Sequence, residues 1–300
     1  MTELKGGYHR PVRLAIAGLM AILLIPLIVA GCAQAPKASE PSRPALTGTV
    51  TISGAGTGYP PLELLAREFE SRNAGVRVNF LPASQTSGAL TAVLQNVSDI
   101  GAVTRPPKPE ETQGRIQYAE FAADALLLAA HPSVKGITNL KTEDIRAVYS
   151  GAVKNWAVLG GPDAAILILD RSEDESAKIL LRQHVLGKDL TISSAAIVLK
   201  QENELIAALK DTPNSVGVFS LAFAIINGLN VSRIGIDGVA PSVETVKTGR
   251  YPMVRVLGLV WTDSISPAGR AFSDFIQSDD GRRILEKSGY AGLSDRLQGG

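Results

Sequence analysis

The chain has 300 residues, and 30 Lys and Arg against 29 Asp and Glu give it a formal charge of +1 at pH 7. This balance excludes a nucleic-acid-binding surface of the usual kind, which requires an excess of clustered Lys and Arg. The single cysteine excludes an intramolecular disulfide, so the fold must be stabilised by a hydrophobic core.

The N-terminus predicts a lipoprotein signal peptide over residues 1–31. Basic residues precede an apolar run from Leu14 to Ala30, and small residues stand directly before Cys32. The string Val29-Ala30-Gly31-Cys32 resembles a bacterial lipobox, in which the cysteine is lipidated and becomes the new N-terminus. The alternative is an uncleaved membrane anchor, although the run is at the short limit for a hydrocarbon core of ~30 Å. Either way, we expect the rest of the chain outside the cytoplasm and tethered to a membrane.

Residues 32–47 are rich in Pro, Ser and Ala and lack hydrophobic periodicity, which predicts a flexible linker. Without residues 1–31 the chain has 27 basic and 28 acidic residues, a formal charge of −1. The remaining length, about 270 residues, is enough for one large domain or two lobes of ordinary size.

From Gly48 onward, strands alternate with helices. Apolar and β-branched runs predict the strands, and apolar residues at helical spacing predict the helices. The predicted strands are 49–52, 76–81, 99–103, 126–130, 165–169, 216–219 and 257–261. The predicted helices are 62–73, 89–95, 142–149, 177–184, 267–276 and 281–287. Thr142 is the expected N-cap of the third helix. The alternation predicts an α/β architecture with largely parallel sheets.

Three polar loops join a predicted strand to the following helix, at residues 53–59, 84–88 and 171–176, and a further strand ends at Thr104. Ligands of open α/β sheets bind beyond the carboxyl ends of the strands, where helix starts offer unpaired N–H groups that suit an anion. Arg171 is the guanidinium that we expect to pair with an oxyanion, as the only one in these strand-to-helix loops. Neutral hydroxyl donors are supplied by Thr57, Thr86, Ser87, Thr104 and Ser176. The alternative is that these glycine-rich turns serve folding alone.

Enzyme signatures are absent from the sequence, which has no G-x-S-x-G elbow, no P-loop and no H-E-x-x-H. The three histidines lack metal-ligand spacing, so we expect neither a metal nor a cofactor. The acidic run Glu173-Asp174-Glu175 could supply a base, but acidic residues at a helix start are also favoured by the helix dipole without any catalysis. We expect a binding protein, with an extracytoplasmic hydrolase using Glu175 or Asp174 as the minor alternative.

The sequence resembles the phosphate-binding solute receptors of bacterial ABC importers over nearly all of Gly48 to Leu293. The similar blocks, in order, are 53–60 (SGAGTGYP), 99–102 (DIGA), 148–151 (VYSG), 155–156 (NW), 159–163 (LGGPD), 249–252 (GRYP), 266–267 (SP) and 289–290 (GY). This resemblance implies a two-lobed periplasmic-binding-protein clamshell of type II, each lobe being a mostly parallel sheet flanked by helices.

Under this resemblance, lobe 1 comprises residues 48–122 plus 255–300, and lobe 2 comprises residues 123–254. Two crossing strands near residues 122–127 and 253–257 would form the hinge, with the ligand buried beside it. The implied partners are phosphate or a related small oxyanion, the subunits of an ABC permease, and the membrane through a lipid on Cys32. We expect a monomer that binds no nucleic acid.

The ligand-binding residues implied by the resemblance carry over unevenly. Arg171 matches the ligand-binding arginine and Glu173 its carboxylate partner, whereas Gly58 stands where relatives have a hydroxyl. Tyr59 would still offer its backbone N–H. The expected ligand-binding set is Thr57, Gly58, Tyr59, Thr86, Ser87, Thr104, Arg171, Glu175 and Ser176.

The loop after Arg171 departs from the family pattern, because relatives read Gly-Ser-Gly-Thr where this chain reads Asp174-Glu175-Ser176-Ala177. Like charges ~4 Å apart repel by about 4 kcal/mol at an effective dielectric near 20, so an ionised Glu175 in the cleft would oppose a phosphate dianion. Glu175 could instead turn outward, accept a hydrogen bond from a protonated oxyanion, or belong to a pocket for a neutral or zwitterionic solute. The leading hypothesis is a lipoprotein that delivers phosphate to an ABC importer; the alternative is a receptor for another solute, or a sensor or scaffold with a degenerate anion site.

Overall fold

The computed structural model describes residues 45–293. The predicted signal peptide 1–31, the lipidation site Cys32 and all but the last three residues of the predicted linker 32–47 lie outside this range. Within residues 45–293, no helix combines the length and the apolar character of a membrane span.

Strands and helices alternate along the described chain, as the sequence predicts. The strands are β1 (Thr47–Gly54), β2 (Gly75–Phe80), β3 (Ile100–Val103), β4 (Gln117–Ala130), β5 (Asn139–Leu140), β6 (Leu167–Arg171), β7 (Ile197–Leu199), β8 (Ser215–Ser220), β9 (Ser232–Ile236), β10 (Val254–Trp261) and β11 (Ala291–Gly292). The helices are α1 (Tyr59–Arg72), α2 (Thr86–Leu94), α3 (Pro109–Thr112), α4 (Thr142–Ser150), α5 (Ser176–Leu181), α6 (Glu202–Asp211), α7 (Leu221–Ile226), α8 (Val243–Lys247), α9 (Pro267–Gln277) and α10 (Asp279–Lys287). Two 3-10 turns (Gly56–Gly58, Trp156–Leu159) and a π turn (Arg182–Leu186) complete the description.

Every helix and strand predicted from hydrophobic periodicity overlaps an observed one. The cap of α4 differs from the prediction: Lys141 is the N-cap, and Thr142 is the first helical residue. The backbone N–H and the hydroxyl of Thr142 both donate to the carboxylate of Asp237, at 2.8 and 2.7 Å. The hydroxyl is therefore used in a contact with a distant loop, which the local sequence does not indicate.

The strands form a mixed sheet with the order β2-β1-β3-β10-β4-β8-β6-β7. Pairing is parallel toward both edges, where β1 contacts β2 and β3, and β6 contacts β7 and β8. It is antiparallel at the centre, between β3, β10, β4 and β8. The prediction of mostly parallel sheets therefore holds for the strand pairs at the edges. It does not hold at the centre, where β4 and β10 lie between the two halves and run in opposite directions.

Two large hydrophobic cores lie on either side of this centre, and a small third cluster contains Leu90, Val103 and Val260. One is formed largely by side chains before residue 123 and after residue 256, among them Phe69, Phe121 and Phe272. The other is formed by residues 125–253 and includes Trp156 and Phe219. Each fully buried side chain of this size contributes about 1.5–3 kcal/mol, so each half has its own source of stability. β4 and β10 are the long strands that join the two cores, and the predicted lobe boundaries at 122/123 and 254/255 stay a prediction.

Candidate functional site

A cavity of about 580 Å³ opens where the loops after β2 and β3 meet the start of α5 and the central strand β10. Four of the predicted hydroxyl residues line it together: Thr86, Ser87, Thr104 and Ser176. Thr86, Ser87 and Thr104 follow the parallel strands β2 and β3, which end at a common sheet edge. Ser176 follows β6, which runs in the opposite direction, and it reaches the cavity from the other half of the sheet. Apolar side chains form another part of the wall, namely Ile179, Leu180, Val254 and Val256. Its charged lining residues are Arg105, Glu120 and Arg255.

The start of α2 contributes to this wall. Gln85, its N-cap, makes no side-chain capping hydrogen bond, and Gln85, Thr86 and Ser87 all line the cavity. The buried hydroxyl of Thr86 accepts a hydrogen bond from the backbone N–H of Thr104 at 3.3 Å, which links the loops after β2 and β3. The first N–H groups of α2 therefore lie beside a hydroxyl-lined space, an arrangement that favours an anion.

A second cavity, of about 460 Å³, lies between the first loop and the segments around α6 and α7. Thr57 lines it, together with Glu202, Ser220 and Tyr290. Arg255 lines both this cavity and the 580 Å³ cavity. The predicted residue Thr57 is thus separated from the other four hydroxyls, and Arg255 is the residue that the two spaces share.

The first loop does not offer the backbone donors expected of it. The N–H of Gly58 donates to the carbonyl of Ala55 at 2.9 Å, and the N–H of Tyr59 donates to the carbonyl of Gly56. The Tyr59 hydroxyl donates to the carbonyl of Leu81 at 3.0 Å. The expectation that Gly58 and Tyr59 offer free backbone N–H groups is therefore wrong for this structure. The 3-10 turn before α1 uses both amides in its own hydrogen bonds.

Arg171, the predicted anion-binding residue, lies away from both cavities. Its side chain is 5% exposed at the end of β6, and its region has no room for a water molecule. Its Nη2 donates to the carbonyl of Lys200 at 3.1 Å and lies 2.7 Å from the carboxylate of Glu175. Its Nε and Nη1 are buried and have no acceptor among residues 45–293. Because Arg171 lines neither cavity, the expectation that it faces the hydroxyl-lined cleft does not hold in this structure, and its role in anion binding stays a prediction.

The acidic loop pairs differently from the expectation. Glu173, the predicted partner of Arg171, instead binds Arg182 through both carboxylate oxygens at 2.7 and 3.0 Å. This hydrogen bonding lowers the pKa of Glu173. Glu175 precedes α5 and turns back onto the arginine four residues earlier. None of the three alternatives for Glu175 anticipated this inward ion pair, and neither Glu175 nor Asp174 lines either cavity.

The sequence reasoning missed Arg255. This residue lies on β10 directly opposite Asp124 on β4, and the two side chains are 5% and 1% exposed. Nη2 donates to Oδ2 of Asp124 at 2.7 Å, and Nη1 donates to Oγ of Ser176 at 3.1 Å. Glu202 lies 3.7 Å from Nη1. The missed signal was a charge flanked by valines, in Val254-Arg255-Val256, within an otherwise apolar strand.

Burial is the main influence on the ionisation of this pair. Desolvation raises the pKa of Asp124, Arg255 acts in the opposite direction, and the nearby Glu202 raises it further. Asp124 also accepts a hydrogen bond from the Ser220 hydroxyl at 3.0 Å, which favours its charged form. We assign the charged pair at neutral pH, because the guanidinium stays protonated and is in direct contact.

Arg105 is a second missed guanidinium, in the loop after β3. It lines the 580 Å³ cavity, so the expectation that Arg171 is alone among the strand-to-helix loops is wrong. Both of its Nη atoms donate to the carboxylate of Glu111, each at 2.7 Å. This pairing lowers the pKa of Glu111 to about 2. Among residues 45–293, no group of three or more His, Cys, Asp or Glu side chains is arranged to hold a metal.

Comparison with known proteins gives consistent matches. A family model described as the PBP superfamily domain matches residues 38–280. The phosphate-binding protein PstS of Borreliella burgdorferi is 27% identical over 254 residues, covering 81% of this chain and 90% of that protein. The phosphate-binding protein PstS of Bacillus subtilis is 24% identical over 294 residues, covering 94% and 95%.

Among solved structures, a protein from Clostridium perfringens crystallised with bound phosphate, a candidate phosphate ABC transporter substrate-binding protein, superposes with a TM-score of 0.68. It is 24% identical, and the match covers 82% of this chain and all of that one. At this sequence identity the structural similarity shows the fold alone. The superposition confirms the predicted α/β periplasmic-binding-protein architecture.

Proposed function

This chain belongs to the PBP superfamily, and from that premise we propose that it is an extracytoplasmic solute-binding protein that captures a small oxyanion, phosphate first, for an ABC importer. The relatives that it matches over most of their length are named phosphate-binding proteins. Capture and release involve no covalent step, so the proposal assigns no enzyme activity.

The observation that carries the proposal is the hydroxyl-lined 580 Å³ cavity. Thr86, Ser87, Thr104 and Ser176 converge on it from three chain segments, and the start of α2 adds backbone N–H groups. Neutral hydroxyls and helix N–H groups bind oxyanions by donating hydrogen bonds. The cavity also contacts β10, one of the two long strands between the cores, where movement of the halves would close on a ligand.

Membrane attachment is the second part of the proposal. A lipid on Cys32, followed by a linker as far as residue 47, would keep the receptor beside its permease and leave the folded part free to move. The sequence pattern at residues 29–32 supports this assignment. Metabolic labelling with a lipid precursor tests it: the native chain should incorporate label, and Cys32→Ser should not. Equal labelling of the two would refute lipidation at this residue.

Calorimetric titration of the full-length protein in mild detergent tests the ligand. We expect binding of phosphate in preference to sulfate. Ser176→Ala should weaken phosphate binding by about 10-fold, the usual effect of losing one hydrogen bond to a charged group. The matched control is Ser71→Ala, which removes an exposed hydroxyl that bonds only to the carbonyl of Glu68. Loss of binding in both variants, or in neither, would contradict the assignment of the cavity.

A second candidate, a receptor for a different solute or a sensor with a degenerate anion site, is favoured by one observation. Glu175 holds Arg171, the residue that the resemblance assigns to the anion. Titration of Glu175→Ser beside the native protein, at pH 5.5 and pH 8, separates the candidates. Phosphate binding by the native protein supports the first. Binding by Glu175→Ser alone would mean that Glu175 has changed the specificity and that phosphate is not the ligand.

A further inference from the structure

We propose that Arg255, and not Arg171, is the guanidinium that contacts the bound anion, and that Asp124 is its positioning residue. The inference deepens the proposed function and rests on it, since it names the residue that supplies the positive charge.

The first argument is position. Arg255 is the residue shared by the walls of the 580 Å³ and 460 Å³ cavities. It lies on β10 and is fixed to β4, the two strands that join the cores. A ligand that enters either space meets the same buried guanidinium, at the place where the halves of the molecule connect.

The second argument is the unused hydrogen-bonding capacity of this side chain. A guanidinium has five N–H groups, of which Asp124 and Ser176 accept one each. The Nε of Arg255 is buried and has no acceptor among residues 45–293. Buried donors without partners are rare in folded proteins, and those that occur call for an explanation such as an absent ligand.

Ser176 provides a third argument. Its hydroxyl oxygen accepts from Nη1 of Arg255, which leaves its own O–H free to donate. Ser176 also lines the 580 Å³ cavity. The guanidinium therefore orients a neutral donor toward the same region, and a charge beside a hydroxyl is a suitable pair for an oxyanion.

The two other candidate arginines differ from Arg255 in position or exposure. Arg171 also has buried donors without an acceptor among residues 45–293, Nε and Nη1, but it lies in a closed region and lines neither cavity. Arg105 is bound by both carboxylate oxygens of Glu111. Arg105 is also 40% exposed, so its charge is screened by solvent. Of the three, Arg255 alone combines burial, a spare donor and a position on the cavities.

The test compares phosphate affinities of the full-length native protein, Arg255→Gln, Arg171→Gln and a control, Arg72→Gln. Arg255→Gln should weaken binding by about 100-fold, the effect of losing charge-assisted hydrogen bonds. Arg171→Gln should lose clearly less. Arg72 lies on the surface and pairs with Glu68 and Asp280, so its variant matches the change in net charge and should bind as the native protein does.

A further variant guards against misfolding, because Arg255→Gln leaves Asp124 buried without its partner. In Asp124→Asn/Arg255→Gln both charged groups are replaced by neutral amides, and a cooperative melting transition shows that the variant is folded. This variant should also bind phosphate about 100-fold more weakly. A purely structural role would predict near-native affinity once the pair is neutralised.

NMR supplies a direct readout of contact. The ¹H–¹⁵Nε signal of Arg255, identified by its absence from Arg255→Lys, should shift when the native protein is saturated with phosphate. Native-like affinity in the folded Asp124→Asn/Arg255→Gln variant, or an Nε signal that does not move at saturation, overturns this inference while leaving the proposed function intact. Failure of the native protein to bind phosphate overturns the proposed function, and this inference with it.

Discussion

The ion pair between Asp124 and Arg255 makes a sharp prediction about stability. The two side chains are almost completely buried, and their contact of 2.7 Å joins β4 to β10. Asp124→Asn or Arg255→Gln alone leaves one charge in a medium of low dielectric without its counterion. Each single substitution should therefore lower the free energy of unfolding by about 3–5 kcal/mol.

The magnitude follows from the geometry. Unit charges ~4 Å apart attract by about 4 kcal/mol at an effective dielectric near 20, a value suited to empirical calculations on protein sites. When both residues become amides, the attraction and the desolvation penalty vanish together. The double variant loses mainly the charge-assisted part of its bonds to Ser220 and Ser176, which we expect to cost about 1–2 kcal/mol.

Urea denaturation of the native, single and double variants forms a double-mutant cycle. The coupling energy should be at least about 3 kcal/mol, the upper end of measured pairwise values. If the loss of stability in the double variant equals the sum of the losses in the two single variants, the assignment of a coupled buried pair is refuted. The stability deficit of Arg255→Gln should also shrink as the pH falls from 7 toward the ordinary pKa of an aspartate. An unpaired buried Asp124 takes up a proton in the folded state before it does so in the unfolded state, so lower pH favours folding of this variant.

Two further predictions concern other parts of the fold. Gly54→Ala should destabilise by about 2–4 kcal/mol in urea denaturation, because its φ is +120° and a Cβ would lie 2.2 Å from the carbonyl oxygen of Ala102. The control Gly114→Ala, with φ +66° and open space around it, should cost about 1 kcal/mol, and equal costs would contradict the steric argument. Because the pKa of Glu111 is lowered from 4.5 to about 2, its pairing with Arg105 contributes stability above pH 4.5 that is lost as the pH falls toward 2. In NMR titration, Arg105→Gln should return the Glu111 pKa toward its ordinary value, and an unchanged pKa would show that another group lowers it.

The sequence indicates the helices and strands well because their signal is local. Apolar spacing over ten or so residues decides α1, α9 and α10, and each lies close to its predicted position. The proximity of Thr86 and Thr104 follows from a general rule on where parallel strands end, so it too was within reach of the sequence. That Ser176 meets them from an oppositely directed strand followed only from the resemblance to a two-lobed receptor.

Side-chain pairing was out of reach because it depends on neighbours that are distant in the chain. Glu173 and Glu175 are two residues apart, yet one turns to Arg182 and the other to Arg171. The antiparallel contact of β4 with β10 joins segments more than 120 residues apart. The resemblance implied two crossing strands near residues 122–127 and 253–257, but neither segment alone specifies the register that puts Arg255 opposite Asp124. Sequence similarity supplied an arginine for the ligand but not the direction in which its side chain points.

Arg255 shows that a charged residue within an otherwise apolar strand is a sequence signal for a functional site. Burying a charge costs several kcal/mol, and well-packed apolar residues in place of a buried ion pair are often neutral or stabilising. Stability alone therefore does not explain why β4 and β10 carry the buried charges Asp124 and Arg255 in register. A ligand that uses the spare donors of the guanidinium does explain it. The buried pair of Lys178 and Asp170 is not assigned to a ligand by this reasoning, because it lies in the closed region around Arg171 and lines neither cavity.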